Sequence, residues 1–255
     1  MKLNRIIIII SLITMTLIAQ ENTYPPPTRI VTIPTAGTLA RGSYSLEMDI
    51  QRKGGMILSL TTGLTNRFQF GLSYGAANLV GDDTIRWYPR PEANLKYLLI
   101  DETSKSPGIA LGINTQGYGS FTDSTGRYDQ KAYGAYLAAS KNWRTFLGNF
   151  GFHAGMNLNF TETDDGDKDP NLFAGFDLEL NPELTLLAEY SAALNENEKT
   201  AKEMSLTKSG YLNAGIRWTF VDKLHLEVNF KNLLFDKEKI QSFNREFKIT
   251  YIEYF

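Results

Sequence analysis

The sequence predicts an all-β protein, a single antiparallel up-and-down transmembrane β-barrel of about twelve strands that follows an N-terminal signal peptide. Three observations predict it. From Gly42 onward, apolar residues recur at every second position in stretches of about nine to eleven residues. The opposite face of these stretches carries charges, Gly and Asn. The connections between them alternate between short and long. A period of two places all the apolar residues on one face of a strand. A strand of roughly 9–11 residues crosses a bilayer at about 45° tilt. A polar inner face, short turns at one end and long loops at the other belong to membrane barrels. A soluble β-sandwich would share the alternation, with its apolar face lining a closed core.

Residues 1–20 read as the signal peptide. Lys2 and Arg5 precede an almost wholly apolar run from Ile6 to Ile18, and Ala19 is a small residue near a cleavage position. The run is shorter than the roughly 20 residues of a spanning helix. Residues 21–41 form a polar lead. Pro25, Pro26 and Pro27 favour an extended path, which either hangs in the periplasm or folds into the lumen as a plug. Residues 42–255 form the barrel.

Twelve strands are expected at about 43–51, 55–63, 67–75, 89–99, 107–116, 131–140, 149–160, 171–180, 183–192, 209–220, 223–231 and 246–255. Ten or fourteen are the alternatives. The alternation is clearest in Phe150, Phe152, Ala154, Met156 and Leu158, in Leu212, Ala214, Ile216, Trp218 and Phe220, and in Leu224, Leu226, Val228 and Phe230. Two strands are less regular. The fourth opens on Pro89 and Pro91, which suit a sheet interior poorly. The sixth, around Tyr133 to Leu137, is apolar on both faces. Turns at 64–66, 181–182 and 221–222 are very short, and 100–106 and 141–148 somewhat longer. Connections at 76–88, 117–130, 161–170, 193–208 and 232–245 are long and polar. Arg52 to Gly54 is the one tight hairpin at the long-loop end. An even strand count puts both termini in the periplasm.

The last residues, Phe247, Ile249, Tyr251 and Phe255, resemble the C-terminal signal by which the insertion machinery recognises outer-membrane barrels. Glu253 departs from that pattern, and a local irregularity is expected there. The chain as a whole resembles outer-membrane barrel proteins. The segment Ile33-Pro34-Thr35-Ala36-Gly37, with Gly42 and the strand after it, further resembles the opening of YjbH-type barrels. That family is associated with exopolysaccharide operons, so the resemblance implies polysaccharide export or surface assembly.

Composition removes other classes. The 26 basic and 28 acidic residues give no basic excess for nucleic acid. Without cysteine there is no disulfide, thiolate metal site, cysteine nucleophile or lipoprotein anchor. His153 and His225, the two histidines, lack a neighbouring serine in sequence, so no enzyme is expected. No cofactor or metal is expected either. Asp165, Asp167 and Asp169 have alternate spacing suited to calcium, but Pro170 replaces the glycine such a loop needs. Trp87 and Tyr88 could stack on carbohydrate, or sit in an interfacial girdle.

With the apolar face toward lipid, the lumen would be lined by Glu47, Asp49, Arg67, Gln69, Glu92, Lys96, His153, Asp177, Glu179, Glu189, Arg217, His225, Glu227 and Lys248. Mixed charges either pair across a narrow lumen or select solutes. The expected partners are outer-membrane lipids, the insertion machinery, and either small solutes or polysaccharide. The expected role is passive transport or polysaccharide export across a Gram-negative outer membrane. A structural or adhesion barrel with a plugged lumen is the alternative.

Overall fold

Backbone pairing closes the chain on itself. The computed structural model describes residues 26–197, 205–220, 223–234 and 244–255. The expected signal peptide, 1–20, lies outside the described residues. The wall begins with β1 (Ser43–Ile50), β2 (Met56–Gly63) and β3 (Phe68–Ala77). A two-residue strand β4 (Arg86–Trp87) pairs only with the end of β3. The wall continues through β5 (Glu92–Ile100) and β6 (Gly108–Asn114). A separate hairpin follows, made of β7 (Tyr118–Thr122) and β8 (Arg127–Gln130). The wall resumes with β9 (Gly134–Thr145), β10 (Gly148–Leu158), β11 (Asn171–Asn181), β12 (Leu184–Ser191), β13 (Tyr211–Phe220), β14 (Leu224–Lys231) and β15 (Asn244–Tyr254). Among the described residues, twelve strands form the wall, each antiparallel to its neighbours. β1 pairs with β15 from Ser43 opposite Tyr254 to Ile50 opposite Phe247, which seals the seam.

The burial pattern is inverted relative to a soluble protein. Leu46, Leu58, Leu60, Leu72, Leu111, Met156 and Leu172 are about half exposed, while Gln69, Lys96, His153, Glu189 and Glu227 are at most 2% exposed. A sandwich would bury the first set and expose the second. The apolar face therefore points outward, as lipid requires. Aromatics cluster at strand ends on that face: Trp143 stacks on Phe150, and Phe150 lies against Phe176. The stack also explains a departure from expectation. The sixth wall strand runs on to Thr145, and its turn to β10 is only Phe146-Leu147. The same strand starts three residues later than expected, because Lys131 and Ala132 are held by acidic loop residues. β5 starts at Glu92, leaving Pro89 and Pro91 outside the ladder, where their missing N–H groups cost nothing. The register of β15 is unbroken through Glu253, which sits on the outer face bonded by Lys223 and Tyr251.

The interior is not empty. Residues 30–39 of the lead are buried inside the barrel: Ile30, Val31, Thr32, Ile33, Thr35, Ala36 and Leu39 are at most 4% exposed. A tight turn carries Ile30 N–H to the Ile33 carbonyl at 3.1 Å, and Arg29 bridges to Pro34. Ile30, Val31 and Ile33 pack on Tyr133, Tyr136, Ala138, Phe173 and Leu187, which point inward from the wall and its adjoining loop. Ile33 Cδ1 would lie 2.8 Å from a Cβ at position 175, so Gly175 is what admits the segment against β11. The residues that resemble the YjbH-type opening thus form a buried plug.

Candidate functional site: an occupied lumen

The plug is held by wall side chains that reach for its backbone. Glu189 on β12 is the principal anchor. Its carboxylate accepts N–H bonds from Val31 (3.0 Å), Thr32 (2.8 Å) and Ile33 (3.0 Å), and a hydroxyl bond from Thr32 (2.6 Å). Asn213 of β13 steadies the same carboxylate at 2.7 Å. Three successive amides on one carboxylate make an anion nest with fixed partial charge. Lys96 on β5 does the converse, donating to the Thr28 and Gly37 carbonyls at 2.6 and 2.8 Å. Gln69 accepts from Leu39 N–H at 2.9 Å. Arg29 of the plug reaches Glu47 (2.5 Å), Asp49 (2.7 Å) and the Tyr118 hydroxyl (3.0 Å).

A Cβ on Gly37 would lie 2.5 Å from the Pro27 carbonyl oxygen and 2.6 Å from that of Pro26. Both obstacles are backbone, so Gly37→Ala displaces the Pro26–Pro27 limb. The expected result is faster amide exchange across residues 30–39 with wall-strand exchange unchanged, checked by hydrogen–deuterium exchange in detergent.

Other charged groups of the wall pair with one another. Glu227 accepts from Arg217 Nε and Lys248 Nζ, each at 2.7 Å. Lys231 pairs with Glu246 at 2.5 Å and sits 4.2 Å over the Tyr118 ring. On the inward face, Glu47, Asp49, Glu92, Asp177, Glu179, Glu189, Glu227 and Glu246 face Lys96, Arg217, Lys231 and Lys248. The excess is acidic, and plug groups offset part of it.

His153 completes a relay that sequence spacing hides. Neighbouring strands bring Ser140 Oγ to its Nδ1 and Asp177 Oδ1 to its Nε2, both at 2.7 Å. Ser140 Oγ also accepts the Ala36 N–H at 2.8 Å. A hydroxyl donates one hydrogen and accepts two bonds, so Ser140 links the plug amide to the imidazole, whose other nitrogen meets the Asp177 carboxylate. The composition resembles a hydrolase triad, but Ser140 and His153 are sealed under the plug and hold Ala36 in place.

The long-loop end is covered from within by the β7–β8 hairpin. Arg127, fully buried, bonds Asp165 (2.9 Å) and Glu196 (2.8 Å), and Lys131 bonds Asp165 (2.7 Å). The Asp165 carboxylate thus serves as a counter-ion to two loop cations, and no metal-holding cluster of His, Asp or Glu occurs among the described residues. Glu162 accepts from Tyr128 and Ala132 N–H and from Asn159. Burial nevertheless pushes its carboxyl up to about 7. Tyr88 is buried, edge-on to Tyr128 and bonded to the Gly119 carbonyl, so it closes this cover and presents no stacking face. Trp87 is exposed and stacks on Tyr74.

At the short-turn end a cavity of about 150 Å³ remains. Its walls include Glu47, Asp177, Glu179, Arg217, His225, Glu227 and Lys248, and Pro26 to Arg29 form its floor. Glu92 lies at the other end, bonded to Tyr128 and Arg90. The interior therefore receives every residue expected to line the lumen except Arg67. That arginine lies in the turn ahead of β3, which begins one residue later than expected, and it pairs with Asp101 at the exposed rim. Phe247, Ile249 and Tyr251 face outward on β15, and Phe255 donates its N–H to the Gly42 carbonyl and stacks on Tyr44. Sequence reasoning missed Tyr133, Tyr136, Ser140, Phe173 and Leu187 as interior residues.

The chain matches no protein-family model and no curated protein sequence, and the YjbH-type resemblance gains no support. Solved structures do match. A KdgM porin aligns over 82% of this chain and 98% of its own, at TM-score 0.50 and 11% identity. A NanC porin aligns over 83% and 99%, at TM-score 0.42 and 8% identity. Omp33 of Acinetobacter baumannii aligns over 84% and 97%, at TM-score 0.38 and 9% identity. At 11% identity the KdgM likeness is one of fold. The protein is a closed twelve-stranded antiparallel barrel with the fold of an outer-membrane porin.

Proposed function

We propose that this barrel resides in the outer membrane and passes small solutes passively, and that the state described here is closed by its own N-terminal segment. The observation that carries the proposal is the set of four donors on residues 31–33 that bond the Glu189 carboxylate inside the lumen. A porin fold supports the transport half, and the segment's position supports the closure half. The short-turn end, where β1 begins and β15 ends, is assigned to the periplasm, following the usual placement of short turns. Phe255 and the alternating residues before it would present the chain to the insertion machinery. The cavity of about 150 Å³ suits small solutes, and polysaccharide export rests on the YjbH-type resemblance alone.

Liposome swelling tests the reading. Chains lacking residues 26–41 should let small neutral sugars enter, with rates falling as sugar size rises, while the intact chain passes little. A folded, shortened barrel that admits no sugar would oppose transport and favour the plugged structural barrel.

A further inference from the structure

We propose that Glu47, Asp49 and Tyr118 form a guanidinium-binding site in the lumen, that Arg29 is its tethered occupant, and that a small alkylguanidinium solute takes the site when the plug withdraws. The inference rests on the reading of residues 26–41 as a removable plug.

Glu47 and Asp49 stand two apart on β1, so both side chains enter the lumen on one face. Their carboxylates converge on one terminal nitrogen of Arg29, at 2.5 and 2.7 Å, and the Tyr118 hydroxyl accepts from the other at 3.0 Å. Three acceptors around one planar fork suit a guanidinium better than a compact ammonium, which offers a point charge. Arg29 Nε makes no hydrogen bond to the described residues, so recognition falls on the terminal nitrogens and the alkyl stem is free to vary. The carboxylates are about 12–13% exposed, so an unpaired state is costly.

One wall cation competes for the vacated site: Lys96 loses its Thr28 and Gly37 carbonyl partners when the plug withdraws, but its compact ammonium matches three acceptors around a planar fork less well than a guanidinium does. Arg217 and Lys248 are engaged by Glu227, and Lys231 by Glu246. A cavity of about 50 Å³, lined in part by Arg29, Glu47, Asp49 and Tyr118, adjoins the site and gives a solute room. Plug withdrawal therefore vacates a site already shaped for the group that left it.

The test uses the full-length chain with Arg29→Ala, refolded in detergent, and reads the unfolding temperature by heat-modifiable gel mobility. The variant should unfold at lower temperature than the parent. Methylguanidinium chloride should recover more than half of that loss, at a half-effect concentration about tenfold below that of tetramethylammonium chloride at matched ionic strength. Adding Glu47→Gln and Asp49→Asn should abolish the recovery. Should that triple variant not fold, Arg29→Ala with Tyr118→Phe serves instead and should weaken the recovery. Equal effects of the two cations, or full recovery in the triple variant, would overturn the site. The closure reading fails separately, if the unmodified chain conducts, whatever the cations do.

Discussion

Replacing Glu189 with alanine should unseat the plug while leaving the barrel closed. The substitution strips a partner from the amides of Val31, Thr32 and Ile33, from the Thr32 hydroxyl and from Asn213. A buried donor left unpaired costs about 1–3 kcal/mol, with water entry lowering the sum. A net loss of about 3 kcal/mol would raise the withdrawn population roughly a hundredfold. Hydrogen exchange at residues 31–33 should accelerate by that order, while β13 and β14 amides keep their protection. Glu189→Gln should have a smaller effect, because its amide oxygen still accepts. Unchanged exchange at residues 31–33 in the alanine variant would show that the carboxylate is not the anchor.

The second large effect is expected at Glu227, and it should fall on the wall. Glu227 is 1% exposed and holds both Arg217 and Lys248. Alanine there strands two buried cations across the β13–β14–β15 ladder. Breaking such a group by removing one partner costs about 3–5 kcal/mol. The urea midpoint of the refolded barrel should drop accordingly, with little change in exchange at residues 31–33, which Glu189 holds. Glu227→Ala combined with Arg217→Met and Lys248→Met should recover much of the loss, since no charge then lacks a partner. A midpoint that stays with the parent would mean water already reaches this triad.

These two sites differ in how far the sequence foretold them. Alternation placed Glu189, Arg217, Glu227 and Lys248 on the inner face, because a period of two assigns a face without knowledge of what lies across the lumen. It could not show that Glu189 binds backbone amides, since a main-chain partner leaves no side-chain signature. The plug itself was open as one of two paths for residues 21–41. The signal for it was present in the wall. Tyr136-Leu137-Ala138, Leu172-Phe173 and Leu186-Leu187 are apolar on both faces. Apolar residues facing a lumen need something apolar to cover them, and Ile30, Val31 and Ile33 do so. The relay of Ser140, His153 and Asp177 was hidden for a related reason. Its members lie 13 and 24 residues apart in sequence and meet only across strand registers. The β7–β8 hairpin lay within a connection read only as long and polar, because its contacts run to other loops: Arg127 to Asp165 and Glu196.

The most direct test of the closed lumen is single-channel conductance in a planar bilayer, comparing a chain of residues 21–255 with the same chain lacking residues 26–41, both verified as folded by heat-modifiable mobility. The account predicts a silent intact barrel, or one with rare brief openings, and steady cation-preferring steps from the shortened one. Steady steps of equal size from both would contradict it, because a segment that fills the lumen cannot leave its conductance unchanged.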